Sequence, residues 1–285
     1  MRASSIGDPD HFRMRSPARG LVKAALVHAQ AAAWVIRGAT EHPGLRILYY
    51  HRIGPGNDQL TVSTARFRRH LDQVARTRYP VVDLAAVNEK TLGQDATALA
   101  ITLDDGYGEL LEHAFPELEA RGWPATVYVC PGAVAGEIRF PWSQRHHPIL
   151  SWDAMRTVES RGLIRFEPHS LTHAHLPSLD RSAAEREIRG SKDALEMALG
   201  RPARSFCYPG GFFGAREIEL VSEAGFQTAV SSEYGVNRAP WDRFALRRIP
   251  VDRYDTTALF AARLRGATDR PPPGRRRRQL PAHRG

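Results

Sequence analysis

The sequence predicts an α/β fold whose mainly parallel sheet closes into a barrel. Three observations predict it. From Arg46 onward, short apolar runs rich in β-branched residues alternate with helical segments. The links between them are short. Carboxylates, histidines and glycines gather where the apolar runs end. Repeated βα units with short links give parallel strands and right-handed crossovers, and their number favours a barrel over an open sheet. A chain of 285 residues is long enough to hold one such barrel as a single domain.

Ile47 to His51 reads as the first strand. Thr64 to Arg78 reads as a helix, with Phe67, Leu71 and Val74 on one face. Val81 to Leu84 reads as an edge or outer strand, and Leu99 to Leu103 as a buried central one. Glu109 to Arg121 is helical despite Pro116 and is stopped by Gly122. Ala125 to Cys130 is a strand, followed by a longer excursion, Pro131 to Leu150, that carries Trp142, His146 and His147. Ser151 caps a helix that reaches Arg161. Leu163 to Glu167 is a strand. Ser182 to Glu185 forms a capping-box pattern for a helix with Ala184, Ile188, Leu195 and Leu199 on one face, ending at Gly200. Ser205 to Tyr208 is a strand leading into a loop with Gly210, Gly211 and Gly214. Arg216 to Ala224 is a helix, and Thr228 to Ser231 and Arg248 to Val251 are the last strands.

Residues 45–265 therefore form the barrel, with an extension at 1–44 and a tail at 266–285. The extension contains an Ala-rich stretch, Leu21 to Ile36, interrupted by Lys23, His28 and Gln30. It is too short and polar to span a membrane, and it makes a poor secretory signal because charge falls within the apolar run. It reads as an amphipathic helix that packs on the barrel or lies on a membrane surface as a peripheral contact. The tail joins three prolines to an arginine run and cannot pack. From Arg270 to Gly285 it holds six arginines and no acid, which leaves +3 of the formal +9 charge for the rest of the chain. A body so mildly basic gives no reason to expect a nucleic-acid partner. Cys130 and Cys207 both sit in strand-like surroundings without metal-type spacing and read as buried free thiols. The sequence fixes no oligomeric state.

Three stretches carry chemistry. The central strand ends in Asp104, Asp105 and Gly106. Two adjacent carboxylates beyond a buried strand repel unless a cation sits between them or one holds a proton; an ordinary Asp-Asp-Gly turn is the alternative. His169 and His173 follow another strand end, with His175 close behind. Two imidazoles and one carboxylate suit a borderline divalent ion such as Zn²⁺, and three protein ligands leave positions for water and substrate. The third stretch, Phe206 to Gly211, ends in glycines whose N–H groups either serve an oxyanion site or close an ordinary Pro-Gly turn.

In this order and spacing the stretches resemble the polysaccharide deacetylase family, carbohydrate esterase family 4, whose shared unit is the NodB homology domain. Its pattern is T-F-D-D-G, then H-[ST]-x-x-H, then a Pro-containing strand end. Here the matching residues are Thr102 to Gly106, His169 to His173, and Tyr208-Pro209. Tyr49 to Arg52, Pro124 to Val127, Ser151 to Asp153, Glu187-Ile188, Ser191-Lys192 and Glu223 to Phe226 are similar to one bacterial branch of it. The resemblance covers about Arg46 to Val251. It implies a distorted (β/α)₇-type barrel, the NodB-like fold, with Asp105, His169 and His173 as metal ligands, Zn²⁺ as the metal and Asp104 as catalytic base. A backbone N–H at Gly210 or Gly211 would hold the oxyanion. It implies removal of acetyl groups from an N-acetylated glycan, with Tyr107, Trp142, Trp152, Phe212 and Phe213 available to stack on sugar rings. It also implies a cell-envelope or extracytoplasmic location; without a clear signal peptide, a cytoplasmic one stays open.

The chain departs from the pattern in three places, one of them Gly210, which stands where an aromatic residue often follows the third-motif proline. Many members end in a Leu-x-x-His segment whose histidine is the general acid; Leu246 to Val251 has none. His51, His146, His147, His175 or a water on the metal are the substitutes. The arginine that often orients the base is not at Cys207, which leaves Arg247 or Arg248 to approach from another strand. Three other readings stay open: a related C–N amide hydrolase, an O-acetyl esterase, and a catalytically impaired barrel that only binds glycan.

Overall fold

The structure, a computed structural model, describes residues 43–87, 92, 93, 95–142, 147–267 and 269, together with Ala29 and Ala33. Apart from Ala29 and Ala33, the expected N-terminal amphipathic helix lies outside the described residues, as do His146 and the arginine run from Arg270.

The chain enters on β1 (Gly44–Tyr50), followed by the short pair β2 (Arg52–Ile53) and β3 (Thr61–Val62). Helix α1 (Thr64–Thr77) is capped by the Ser63 hydroxyl, which accepts from the Arg66 N–H, and buries Phe67, Leu71 and Val74 as their spacing requires. After β4 (Thr97–Leu103) the expected helix is split into α2 (Leu110–His113) and α3 (Phe115–Glu119). Pro116 lacks an N–H and disfavours helical geometry in the residue before it, so the two turns meet at a break. Strand β5 (Ala125–Val129), α4 (Pro131–Val134), the Ser151-capped α5 (Trp152–Glu159) and β6 (Ile164–Pro168) follow. Helix α6 (Arg181–Leu199) starts earlier than the Ser182 capping box suggests. The Asp180 carboxylate accepts from the Ala183 N–H instead, which leaves Ser182 inside the first turn. Strand β7 (Ser205–Cys207), α7 (Ala215–Glu223), β8 (Thr228–Tyr234), β9 (Leu246–Pro250) and α8 (Thr257–Leu264) complete the chain.

Seven strands form one parallel sheet in the order β6-β5-β4-β1-β9-β8-β7. The sheet curls into a nearly closed barrel within a single α/β domain. Its pleat divides the core in two. Leu45, Ile47, Ala98, Ala100, Tyr128, Val230 and Leu246 fill the interior. Leu48, Ile101, Val127, Phe166, Phe206 and Ile249 face the helices, where they meet Leu71, Leu118, Ile188 and Leu220.

The barrel is distorted where ladders are short. β1 and β4 pair along seven residues, whereas β4 and β5 pair only at Thr102↔Thr126 and Leu103↔Val127. Below that pair the strand expected at Val81 to Leu84 contracts to one bridge, Val81↔Leu99. Pro80 offers only its carbonyl there, and the Asp83 side chain turns the chain away by accepting from the Ala85 N–H. Between β6 and β7 no ladder occurs among the described residues. Side chains close that seam. Glu167 Oε2 accepts from the N–H groups of Arg204 and Ser205 at 2.8 and 3.1 Å. His169 Nδ1 meets the Cys207 carbonyl at 2.8 Å.

Candidate metal centre

Every strand of the barrel is parallel, so all C-terminal strand ends share one rim, where α/β barrels hold their chemistry. Asp104 and Asp105 leave the end of β4 and His169 the end of β6. Gly106 makes the turn possible: its φ is 68°, and a Cβ there would lie 2.6 Å from Val129 Cγ1. The backbone is forced elsewhere too. Four non-glycine residues have positive φ among the described residues; three are Asp105 (74°), Ser170 (60°) and His173 (59°). Such geometry is costly and gathers where function over-determines it.

His169 Nε2 and His173 Nε2 each lie 3.9 Å from Asp105 Oδ1, with the imidazole planes at 89° to each other. All three residues are buried. The Cys207 carbonyl can only accept, so His169 Nδ1 carries the proton and Nε2 turns a lone pair toward Asp105. Burial lowers His169 to about 4, so its imidazole is neutral near pH 7, and burial and His169 lower His173 in the same direction. Burial and the Asp104 charge push the Asp105 carboxyl well up, and its Oδ2 is buried without a hydrogen-bond partner. Neutral nitrogens facing a strained carboxylate at these separations fit a divalent ion about 2 Å from each. The His169–Cys207 bond is the kind of outer support that orients a metal-binding imidazole.

Asp104, His169 and Cys207 form a second convergent group, but its centre is served by an arginine. Arg248, 1% exposed, reaches across from β9 and grips Asp104 with both terminal nitrogens, at 2.7 and 2.8 Å. Its Nη2 lies 3.2 Å from Cys207 Sγ, and its Nε donates to the Ser231 carbonyl. The guanidinium lies over the Tyr49 ring at 4.2 Å. Burial alone would raise the Asp104 carboxyl, yet the Arg248 charge and hydrogen bonds hold it below the usual carboxylate range. Arg247, the other arginine that the sequence offers, lies near Glu233 instead, at 3.7 Å.

The glycine loop is more constrained than the sequence suggests. Gly211 N–H donates to the Tyr208 carbonyl and the Gly210 carbonyl accepts from Ser232 Oγ. Of the aromatics, half-buried Trp142 packs 4.6 Å from the His173 ring and its Nε1 lies 3.4 Å from the Tyr107 hydroxyl. Phe213 is wholly buried and stacks on Tyr208, so it belongs to the core. His175 lies edge-on to Phe212, and His147 faces Tyr107. Both cysteines are buried free thiols.

Known proteins share part of this sequence and this fold. Residues 92–229 match the family model described as Polysaccharide deacetylase. YxkH of Bacillus subtilis (strain 168), named for the polysaccharide deacetylases, is 24% identical over 254 residues, covering 87% of this chain and 85% of that one. The Streptococcus pyogenes deacetylase PplD in complex with acetate shares the fold at a TM-score of 0.65 and 20% identity, over 73% of this chain and 92% of that one. IcaB from Ammonifex degensii does so at 0.64 and 22%, over 78% and 99%. Over residues 92–229 the chain is similar in sequence to the polysaccharide deacetylases of carbohydrate esterase family 4, and its barrel shares their NodB-type fold.

Proposed function

We propose that the chain is a metal-dependent hydrolase that removes acetyl groups from an N-acetylated carbohydrate, with Zn²⁺ held by Asp105, His169 and His173. One observation carries the reading: a neutral, preoriented two-histidine, one-carboxylate set adjoins a carboxylate that Arg248 keeps anionic. The bound ion would supply Lewis acidity toward the acetamide oxygen and a more acidic water.

Asp104 takes the proton from the attacking water as its oxygen bonds to the acetyl carbon. A backbone N–H in the Gly210 segment meets the developing oxyanion. The C–N bond then breaks, releasing acetate and an amine that needs a proton. We assign that proton to His51. The β1–β4 register pairs Tyr50 with Leu103, which brings His51 level with Asp104 at the rim. Burial lowers the His51 imidazole and the Asp104 charge opposes that shift.

The test is acetate release from a panel of N-acetyl glycans with added Zn²⁺. Asp105→Ala and His173→Ala should lose metal and turnover together. Asp104→Asn should keep the metal and lose turnover by about 10²- to 10⁴-fold. His51→Gln should slow amide substrates by a similar general-acid factor and spare 4-nitrophenyl acetate, whose leaving group needs no proton. Full activity in Asp104→Asn would refute the base assignment. Zn²⁺ binding without acetate release from any N-acetyl glycan would favour a glycan-binding barrel.

A further inference from the structure

Between its two histidines the chain makes a tight excursion with positive φ at Ser170 and His173. Residues with a Cβ resist that geometry, so the loop needs external restraint. Three of its polar groups converge on one residue of α6. The Leu171 N–H donates to the Glu187 backbone carbonyl at 3.1 Å. The Thr172 N–H donates to Glu187 Oε2 at 2.9 Å and the Thr172 hydroxyl to Oε1 at 2.6 Å. On the other side the Leu171 carbonyl accepts from the Gly132 N–H at 2.9 Å, and a Cβ on Gly132 would lie 2.9 Å from that oxygen. The platform is rigid: α6 spans 19 residues and buries Ile188 and Leu195 in the core.

We propose that Glu187 is a positioning residue that holds the His169–His173 loop in the shape in which both imidazoles face Asp105. This rests on the metal reading above. Glu187 acts through Thr172 and the loop backbone and touches none of the reacting atoms. An outer support of this kind typically contributes about 10- to 100-fold in metal affinity.

The experiment is calorimetric Zn²⁺ titration of the chelator-treated chain, with circular dichroism to verify folding. Glu187→Ala should bind Zn²⁺ about 10- to 100-fold more weakly. Glu187→Gln should recover most of the loss, because a carboxamide still accepts from the Thr172 N–H and can donate to its hydroxyl. Thr172→Val should weaken binding by itself and add little in the Glu187→Ala background. Unchanged affinity in Glu187→Ala, Gln no better than Ala, or losses that multiply in the double variant would overturn the proposal. Should Glu187→Ala fail to fold, Thr172→Val decides alone: unchanged affinity overturns it and weakened affinity supports it. Failure of the unsubstituted chain to bind Zn²⁺ would instead overturn the metal reading, and this inference with it.

Discussion

Replacing Arg248 by Met should be among the most damaging single changes in the barrel interior. Met keeps most of the volume, so the effect isolates the charge. The Asp104 carboxylate is 3% exposed, and both its oxygens accept from Arg248 at 2.7 and 2.8 Å. Without the guanidinium, two adjacent buried carboxyls would remain with no cation on Asp104. Breaking a buried pair by removing one partner costs about 3–5 kcal/mol. Removing both partners costs less, because no orphaned charge is left, so Arg248→Met with Asp104→Asn should be more stable than Arg248→Met alone. Urea unfolding of the two single variants and the double variant, in chelator, measures the coupling. Acid should act oppositely in parent and Met variant. The Asp104 carboxyl lies below its ordinary 3.8 in the folded parent. The pair therefore stabilises above that pH and is lost as the pH falls through the folded value. In Arg248→Met burial is unopposed, the carboxyl moves up, and acidification should restore stability. A loss below about 1 kcal/mol in Arg248→Met, the size of a surface ion pair, or additive single losses, would refute this reasoning.

Three other outcomes are expected. Burial lowers His70, stacked 4.1 Å from Phe260, from 6.5 to about 4. The unfolded chain therefore binds the extra proton, and stability present above pH 6.5 should fall by up to about 3 kcal/mol as the pH drops toward 4. His70→Gln should flatten that slope in urea unfolding; a parallel slope would contradict it. Gly211→Ala would place a Cβ 1.9 Å from Ser232 Oγ and 2.4 Å from its backbone nitrogen, so it should abolish folding, and Ser232→Ala should not rescue it. Gly200→Ala, at φ 68° with nothing within 4 Å, should cost only about 1–2 kcal/mol for left-handed geometry; thermal melts distinguish the two. Glu167→Leu would leave the Arg204 and Ser205 N–H groups without their acceptor, while Arg201 would keep Glu159 and the Pro202 carbonyl. It should cost about 2–6 kcal/mol, as leaving two buried N–H groups unpaired does, with hydrogen exchange rising first at β7.

What was legible in the sequence was whatever a short window can encode. The run into Asp104 and Asp105 announces a strand that ends in chemistry, and Phe67, Leu71 and Val74 announce the buried face of α1. Asp105, His169 and His173 were readable as one cluster because Asp105 follows one strand end and both histidines another, and parallel strands share a rim. Arg248 was only one of two candidates. An arginine within a strand reads as surface, and its burial depends on a carboxylate 144 positions away. Glu187 stood out only as part of a family-like segment and carried no role of its own, since its partners lie across a loop. Helix α8 went unread although Thr256 caps it and Leu259, Phe260 and Leu264 are buried; eight residues give too little periodicity to stand out. Phe213 read as a sugar platform because nothing local tells a rim aromatic from one stacked inside.

The seam between β6 and β7 ties architecture to reactivity. His169 hangs from one edge of the sheet and is tethered to the carbonyl of the other, so the imidazole proposed as a metal ligand is also a stitch in the wall. Prising the stitch open would swing that nitrogen away from Asp105. Heat or denaturant should thus silence the protein at the moment the cylinder unzips, while the seven-residue β1–β4 ladder opposite still stands.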